Sequence, residues 1–269
     1  MPSAFAKGTL FALSAAALNA TIGVISKVLM NSGYSASSVA LIKTVLGCVL
    51  LSVLLLFLRK QPASRARWGQ AAICAFLGIF VLFHFETAAY QHYAAAGVVV
   101  VLMASAALSA VLLGRMVLGD AITANALLGA GFAIAGIVVI FAADLQQGFN
   151  LQGVMPASVA GCGYGAFSVA MKKIGVPGRL YLTRQLLLFG SLFLLMPAAA
   201  DGFAMGELTV LAAAALLALA TLPTSLGFFC TTKAIEHLKP SQVQALELTE
   251  PLFAAVLAFV VLNEVPRDS

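Results

Sequence analysis

The sequence predicts an all-α membrane protein built as an inverted repeat of two five-helix halves, residues 1–145 and 146–269, with nine spanning helices present and the tenth missing. Three observations predict it. Of 269 residues, 62% are hydrophobic and 9% charged, and the mean hydropathy is +1.03; soluble domains carry roughly 25% charged residues. Apolar runs of spanning length follow one another with short connections, which makes sequence neighbours mostly antiparallel. The third observation is internal. At a constant offset of 144, Phe85–Asp120 lies on Phe229–Glu264, with Phe85, Thr87, Leu102, Leu108, Ala110, Leu113, Val117 and Leu118 each meeting an identical residue. Five helices separate the copies, so their orientations are opposite, as in many secondary transporters.

The first span, Gly8–Met30, follows Lys7 with no small-residue cleavage site, so it reads as a membrane helix rather than a removed signal peptide. The second, Ser37–Leu58, carries Lys43 too deep to snorkel easily. Facing a cavity, Lys43 would pair the carboxylate of an amino acid; the structural alternative is a fixed pair with Glu86. The third, Trp68–Tyr90, ends in the polar stretch HFETAAYQHY at 84–93. His84, Thr87 and Gln91 share one face there, and Glu86, Tyr90 and Tyr93 another. His84, Glu86 and Tyr90 are cavity candidates. Tyr93 belongs to an interfacial aromatic belt, which would also explain Tyr90.

The fourth span is Ala96–Leu118. The fifth, Ala124–Ala142, holds Gly129, Gly131 and Gly136 and is expected to be peripheral scaffold. In the sixth, Gly153–Met171, Tyr164 takes the place of Asn19 when Ala20–Lys27 is laid on Gly165–Lys172. Gly161 and Gly163 beside it would let a ligand or a helix come close. The seventh, Tyr181–Ala200, carries Arg184, the counterpart of Lys43 but nearer the interface. The eighth, Leu208–Lys233, is expected to kink at Pro223. The ninth, Pro240–Leu262, is long enough for about 34 Å of helix. Gln244, Glu247 and Glu250 share one of its faces, and Pro251 is expected to bend it. Carboxylates at that depth should face protein or water rather than lipid.

Loop charges set the orientation. With the N-terminus in the cytoplasm, Arg59, Lys60, Arg65, Arg67, Arg115, Lys172, Lys173, Arg179 and Lys239 fall inside. Asp144, Asp201, Glu207 and Glu264 fall outside, with only Lys27 and Arg267 among nearby bases. The net charge of +5 is explained by this asymmetry and suggests no nucleic-acid partner. Cys48, Cys74, Cys162 and Cys230 sit in apolar segments without metal-site spacing. No catalytic constellation, phosphate loop or cofactor motif stands out, so neither an enzyme nor a cofactor is expected.

The run Glu250-Pro251-Leu252-Phe253-Ala254-Ala255, continuing to Leu262-Asn263-Glu264, resembles the ninth helix of the EamA-type branch of the drug/metabolite transporter superfamily. Ala234–Ser241 resembles that family's connection into the helix. Ala107 and Asp120 depart from or vary the pattern in the first half. The resemblance implies ten helices in two inverted halves and a central cavity lined by helices one to four and six to nine. It also implies export from the cytoplasm across a bacterial inner membrane. Within the superfamily the chain is most similar to exporters of aromatic amino acids, the HFETAAYQHY stretch included. Substrate contacts are then expected from Asn19, Lys43, His84, Glu86, Tyr90, Tyr164, Gln244, Glu247 and Glu250, with Pro223 and Pro251 as gating or kink positions. The partners expected are an amino acid or related metabolite, aromatic or also small and neutral, and the bilayer, with the chain acting as a monomer. A carrier of sugar phosphates or nucleotide sugars would need convergent Arg or Lys groups, and Lys43 and Arg184 lie at different depths. A scaffold without transport would make the acids of the ninth helix purely structural.

Overall fold

The computed structural model describes residues 3–58, 68–122, 128, 129, 131, 132, 134, 135 and 151–262, and among them every regular element is helical. Seven described helices are long and apolar enough to cross a membrane. They are α1 (Ala4–Asn31), α2 (Ala36–Phe57), α3 (Trp68–His92), α4 (Gly97–Leu118), α5 (Leu151–Ile174), α6 (Leu180–Ala200) and α7 (Val210–His237). Two shorter helices follow, α8 (Pro240–Glu247) and α9 (Glu250–Leu262). The expected fifth span, Ala124–Ala142, lies outside the described residues except at six positions, as do the 59–67 basic cluster, Asp144, Asn263, Glu264 and Arg267.

Local chemistry sets the helix ends. Ser3, Ser35 and Thr209 each accept a backbone N–H of the first turn that follows, capping α1, α2 and α7. α8 starts with Pro240, and the Gln242 side chain accepts the Lys239 N–H at 3.1 Å. Gly175 ends α5 with φ 67°, a conformation that costs a side chain more than it costs glycine.

The Pro240–Leu262 segment, expected as one helix bent at Pro251, is two helices. It breaks at Leu248 and Thr249, one turn earlier. Proline has no N–H for the Glu247 carbonyl, and its ring crowds that turn. The chain answers with tighter bonds, Thr249 N–H to the Leu246 carbonyl at 3.2 Å and Leu252 N–H to the Thr249 carbonyl at 3.1 Å. Pro251 then sits in the first turn of α9, where no N–H is needed, and Glu250 stands at that helix's positive end. At Pro223 a wide π-helical stretch, Ala220–Gly227, takes up the missing N–H. A second π-helical stretch, Phe76–Val81, lies in α3. The two begin at residues 76 and 220, the offset at which the sequence repeats.

The bundle is apolar on its outside and polar at its centre. Phe57, Met116, Met196 and Val210 are among its most exposed side chains, whereas Lys43, Glu86, Gln244, Glu247 and Glu250 are buried. Water would favour the reverse; a hydrocarbon surround favours this one. α4 and α5 pack closest, because Gly161 and Gly165 leave no side chain between their backbones: a Cβ on either would strike the Leu102 or Ala106 carbonyl or Ser109. Gly163 lies against Val81 and the Leu77 carbonyl. Polar contacts tie the described helices together at both ends of the bundle. At the end bearing the N-terminus, Lys239 meets Asp120 at 3.3 Å, and Lys172 donates to the Ile235 and Glu236 carbonyls at 3.0 and 3.3 Å. At the other end the Ser35 N–H donates to the Ala204 carbonyl at 3.1 Å.

Candidate functional site

Two buried polar clusters flank the centre of the bundle. The first joins α2 to α3. The Lys43 ammonium lies 3.7 Å from Glu86 Oε2 and 4.2 Å from the centre of the Phe83 ring. Tyr90 donates to Glu86 Oε1 at 3.5 Å. Lys43 and Glu86 are both sealed from solvent.

The second cluster joins α5, α7 and α8. Tyr164 donates to Glu247 Oε2 at 2.8 Å and Thr231 donates to Glu247 Oε1 at 3.0 Å, while the two hydroxyls lie 2.9 Å apart. Two hydroxyl protons thus serve the two carboxylate oxygens. One turn earlier on α8, Gln244 donates to Ser168 Oγ at 2.9 Å. Each bond to a charged acceptor is worth about 1.5–3 kcal/mol. Tyr164→Phe is therefore expected to lower stability by about that amount, seen as a lower unfolding midpoint of the purified protein; an unchanged midpoint would mean that the Tyr164 hydroxyl does not hold Glu247.

Between the clusters is a small cavity. Asn19 and Ile22 of α1, Leu82, Phe83 and Glu86 of α3, and Leu102 and Met103 of α4 line it from one part of the chain. Tyr164 of α5, Pro223 and Phe228 of α7, and Glu250 of α9 line it from the other. It has about 20 Å³ of room for the centres of water molecules, enough for a water and far too little for a metabolite. Glu250 is 2% exposed, and its Oε2 has no hydrogen-bond partner among the described residues.

A family model, described as the EamA-like transporter family, matches residues 6–142 and again residues 151–268. The chain belongs to the EamA-like transporter family. It is accordingly a multi-pass membrane protein of a transporter family within the drug/metabolite transporter superfamily. No curated protein matches it. Among the solved structures that do, one described as "Crystal structure of protein" has a TM-score of 0.70 at 18% identity, covering 97% of this chain and 90% of that one. At that identity the likeness speaks for the fold.

Within this EamA-like chain, the residues singled out from sequence separate into three groups. Asn19, Glu86, Tyr164, Pro223 and Glu250 line the cavity. Lys43, Tyr90 and Glu247 sit one layer behind it, holding or held by lining residues. Gln244 is bonded to Ser168 away from it, and Pro251 shapes the start of α9. His84 is elsewhere: its ring stacks on Phe80 at 5.7 Å and meets Phe85 edge-on at 5.0 Å. Arg184 donates from Nε to Ser52 Oγ at 2.9 Å, also away from the cavity. Tyr93 packs over Gly97 and Gly153. Sequence reasoning missed Phe83, Phe228 and Thr231. Phe83 precedes Glu86 by three positions, on the same helical face, and Thr231 is the repeat partner of Thr87. Among the described residues no group of three or more His, Cys, Asp or Glu is placed to hold a metal.

Proposed function

We propose that this chain is a secondary transporter that exports aromatic amino acids, and related small metabolites, by alternating access, with its N-terminus in the cytoplasm. The observation that carries the reading is the small central cavity, whose walls come from both segments that the family model matches and combine aromatic rings with buried acids. Lipid cannot be what those acids face. Ligand sites at the interface of inverted repeats are the usual arrangement in secondary transporters. Transport requires the Asp120–Lys239 end and the Ser35–Ala204 end to part in turn, as one repeat rocks on the other. Beside Asn19, Glu86 and Glu250 the walls are aromatic and aliphatic, and among the described residues no basic side chain lines the cavity, which suits arylalkyl groups and disfavours phosphates.

Purified protein in liposomes loaded with labelled phenylalanine, tryptophan or threonine tests it. Counterflow of phenylalanine and tryptophan above protein-free liposomes is the expected result. If none of the three moves in either direction, the amino-acid reading is wrong.

A further inference from the structure

We infer that the central cavity seats an organic ammonium ion, with the Glu250 carboxylate as its counter-charge and the Phe83, Phe228 and Tyr164 rings as its walls. The inference rests on the transporter reading for its physiological sense, but its geometry stands apart from it.

Charge balance comes first. Among the described residues three acids are buried near the centre, Glu86, Glu247 and Glu250, and the one fully buried base is Lys43. Lys43 faces Glu86. Both oxygens of Glu247 are taken by hydroxyls. Among the described residues Glu250 Oε2, at the cavity wall, has no hydrogen-bond partner. An unpaired carboxylate in apolar surroundings is destabilising, and a cationic guest removes that penalty.

The walls suit the same guest. Phe83 and Phe228 meet edge to face with centroids 6.0 Å apart. Phe228 lies 5.0 Å from Phe167, on which Tyr164 stacks at 6.3 Å. Ring faces attract cations, and Phe83 already carries the Lys43 ammonium 4.2 Å from its centroid. Among the described residues no Lys or Arg lines the cavity, so a guest's carboxylate finds no counter-ion there, while its ammonium does. The group recognised is thus the amine. Arylalkyl amines bind more tightly than the corresponding amino acids, and aryl carboxylates without an amine do not bind. The walls must separate to admit any of them, as the transport cycle demands.

Calorimetric titration of the purified protein at neutral pH with phenethylamine, phenylalanine and 3-phenylpropanoate tests this. Phenethylamine is expected to bind tightest, phenylalanine more weakly and 3-phenylpropanoate not at all. Glu250→Gln keeps the shape and loses the charge; it should weaken phenethylamine binding about tenfold or more. Glu250→Asp, which keeps the charge, should restore part of that loss. Should the Gln variant fail to fold, the ranking of the three ligands on the unmodified protein decides. The inference is overturned if phenethylamine does not bind, if 3-phenylpropanoate binds as well as the amine, or if Glu250→Gln leaves the amine's affinity unchanged. Amine binding without flux of any amino acid would sink the transport reading and leave this one standing. Phenylalanine flux that phenethylamine neither joins nor inhibits would do the opposite.

Discussion

Replacing Gly165 with leucine is expected to leave almost no folded protein. Gly161 and Gly165 lie four apart on α5, on the face that meets α4. A Cβ at Gly165 would strike Ser109 Oγ and the Ala106 carbonyl, and one at Gly161 would strike the Leu102 carbonyl and Ser105. Backbone cannot turn aside as a flexible side chain can, so the helices must separate. In a membrane that separation has no hydrophobic compensation, since lipid is as apolar as the residues it would expose; close packing is itself the attraction. The penalty should reach the top of the overpacking range, about 3 kcal/mol or more. Gly69→Ala, in the first turn of α3, is the matched control. Nothing lies within 4 Å of a Cβ there, and losing a glycine from a helix should be neutral or stabilising by up to about 1 kcal/mol. The yield of monodisperse protein and its unfolding midpoint check both. If Gly165→Leu purifies with the midpoint of the unmodified protein, the α4–α5 contact is not what holds the bundle together.

That contact also shows where sequence reading stops. Spans were legible because hydropathy changes in long blocks: Ser37–Leu58 was expected and Ala36–Phe57 is found, Tyr181–Ala200 was expected and Leu180–Ala200 is found. α7 runs on to His237, past Lys233 and Glu236, because those two pair at 2.8 Å and Glu236 also accepts the Gly178 N–H. Hydropathy falls there while the helix does not. The break before Pro251 was foreseeable as a disturbance but not as a gap, since the gap depends on how Thr249 redirects its backbone and side-chain bonds to Leu246. For the site, spacing placed Gln244, Glu247 and Glu250 on one face, and all three are buried. Spacing could not give them separate surroundings. Glu247 meets Tyr164 and Thr231 from α5 and α7, Gln244 meets Ser168, and Glu250 meets the cavity. Those differences come from neighbouring helices whose order in space the sequence does not state. His84 illustrates the same limit, since the adjacent Phe80 and Phe85 draw its ring into an aromatic stack.

Lys43→Met should be the most damaging single change among the buried polar residues. Lys43 is fully buried, and its ammonium, 3.7 Å from Glu86 Oε2, is the cation nearest that carboxylate. Removing it leaves Glu86 with the Tyr90 hydroxyl at 3.5 Å as its hydrogen-bond donor. Breaking a buried pair by deleting one partner costs about 3–5 kcal/mol, mostly through the charge left behind. Glu86→Gln leaves the opposite orphan, but the Phe83 ring 4.2 Å away still offers the ammonium a favourable face. Its loss should be smaller. The double variant Lys43→Met with Glu86→Gln has no orphaned charge, and it should recover most of the stability lost by Lys43→Met alone. Unfolding midpoints of the three variants and the unmodified protein, compared as a double-mutant cycle, measure this. The expected order from most to least stable is double variant, Glu86→Gln, Lys43→Met. Additive losses, with the double variant worst of all, would mean that the two side chains do not compensate each other. The same cycle tests whether Lys43 has a further task. Phenylalanine flux retained in the double variant would make the pair a structural clamp between α2 and α3. Flux lost while the midpoint recovers would show that Lys43 has a task in the cycle beyond its 3.7 Å pairing with Glu86.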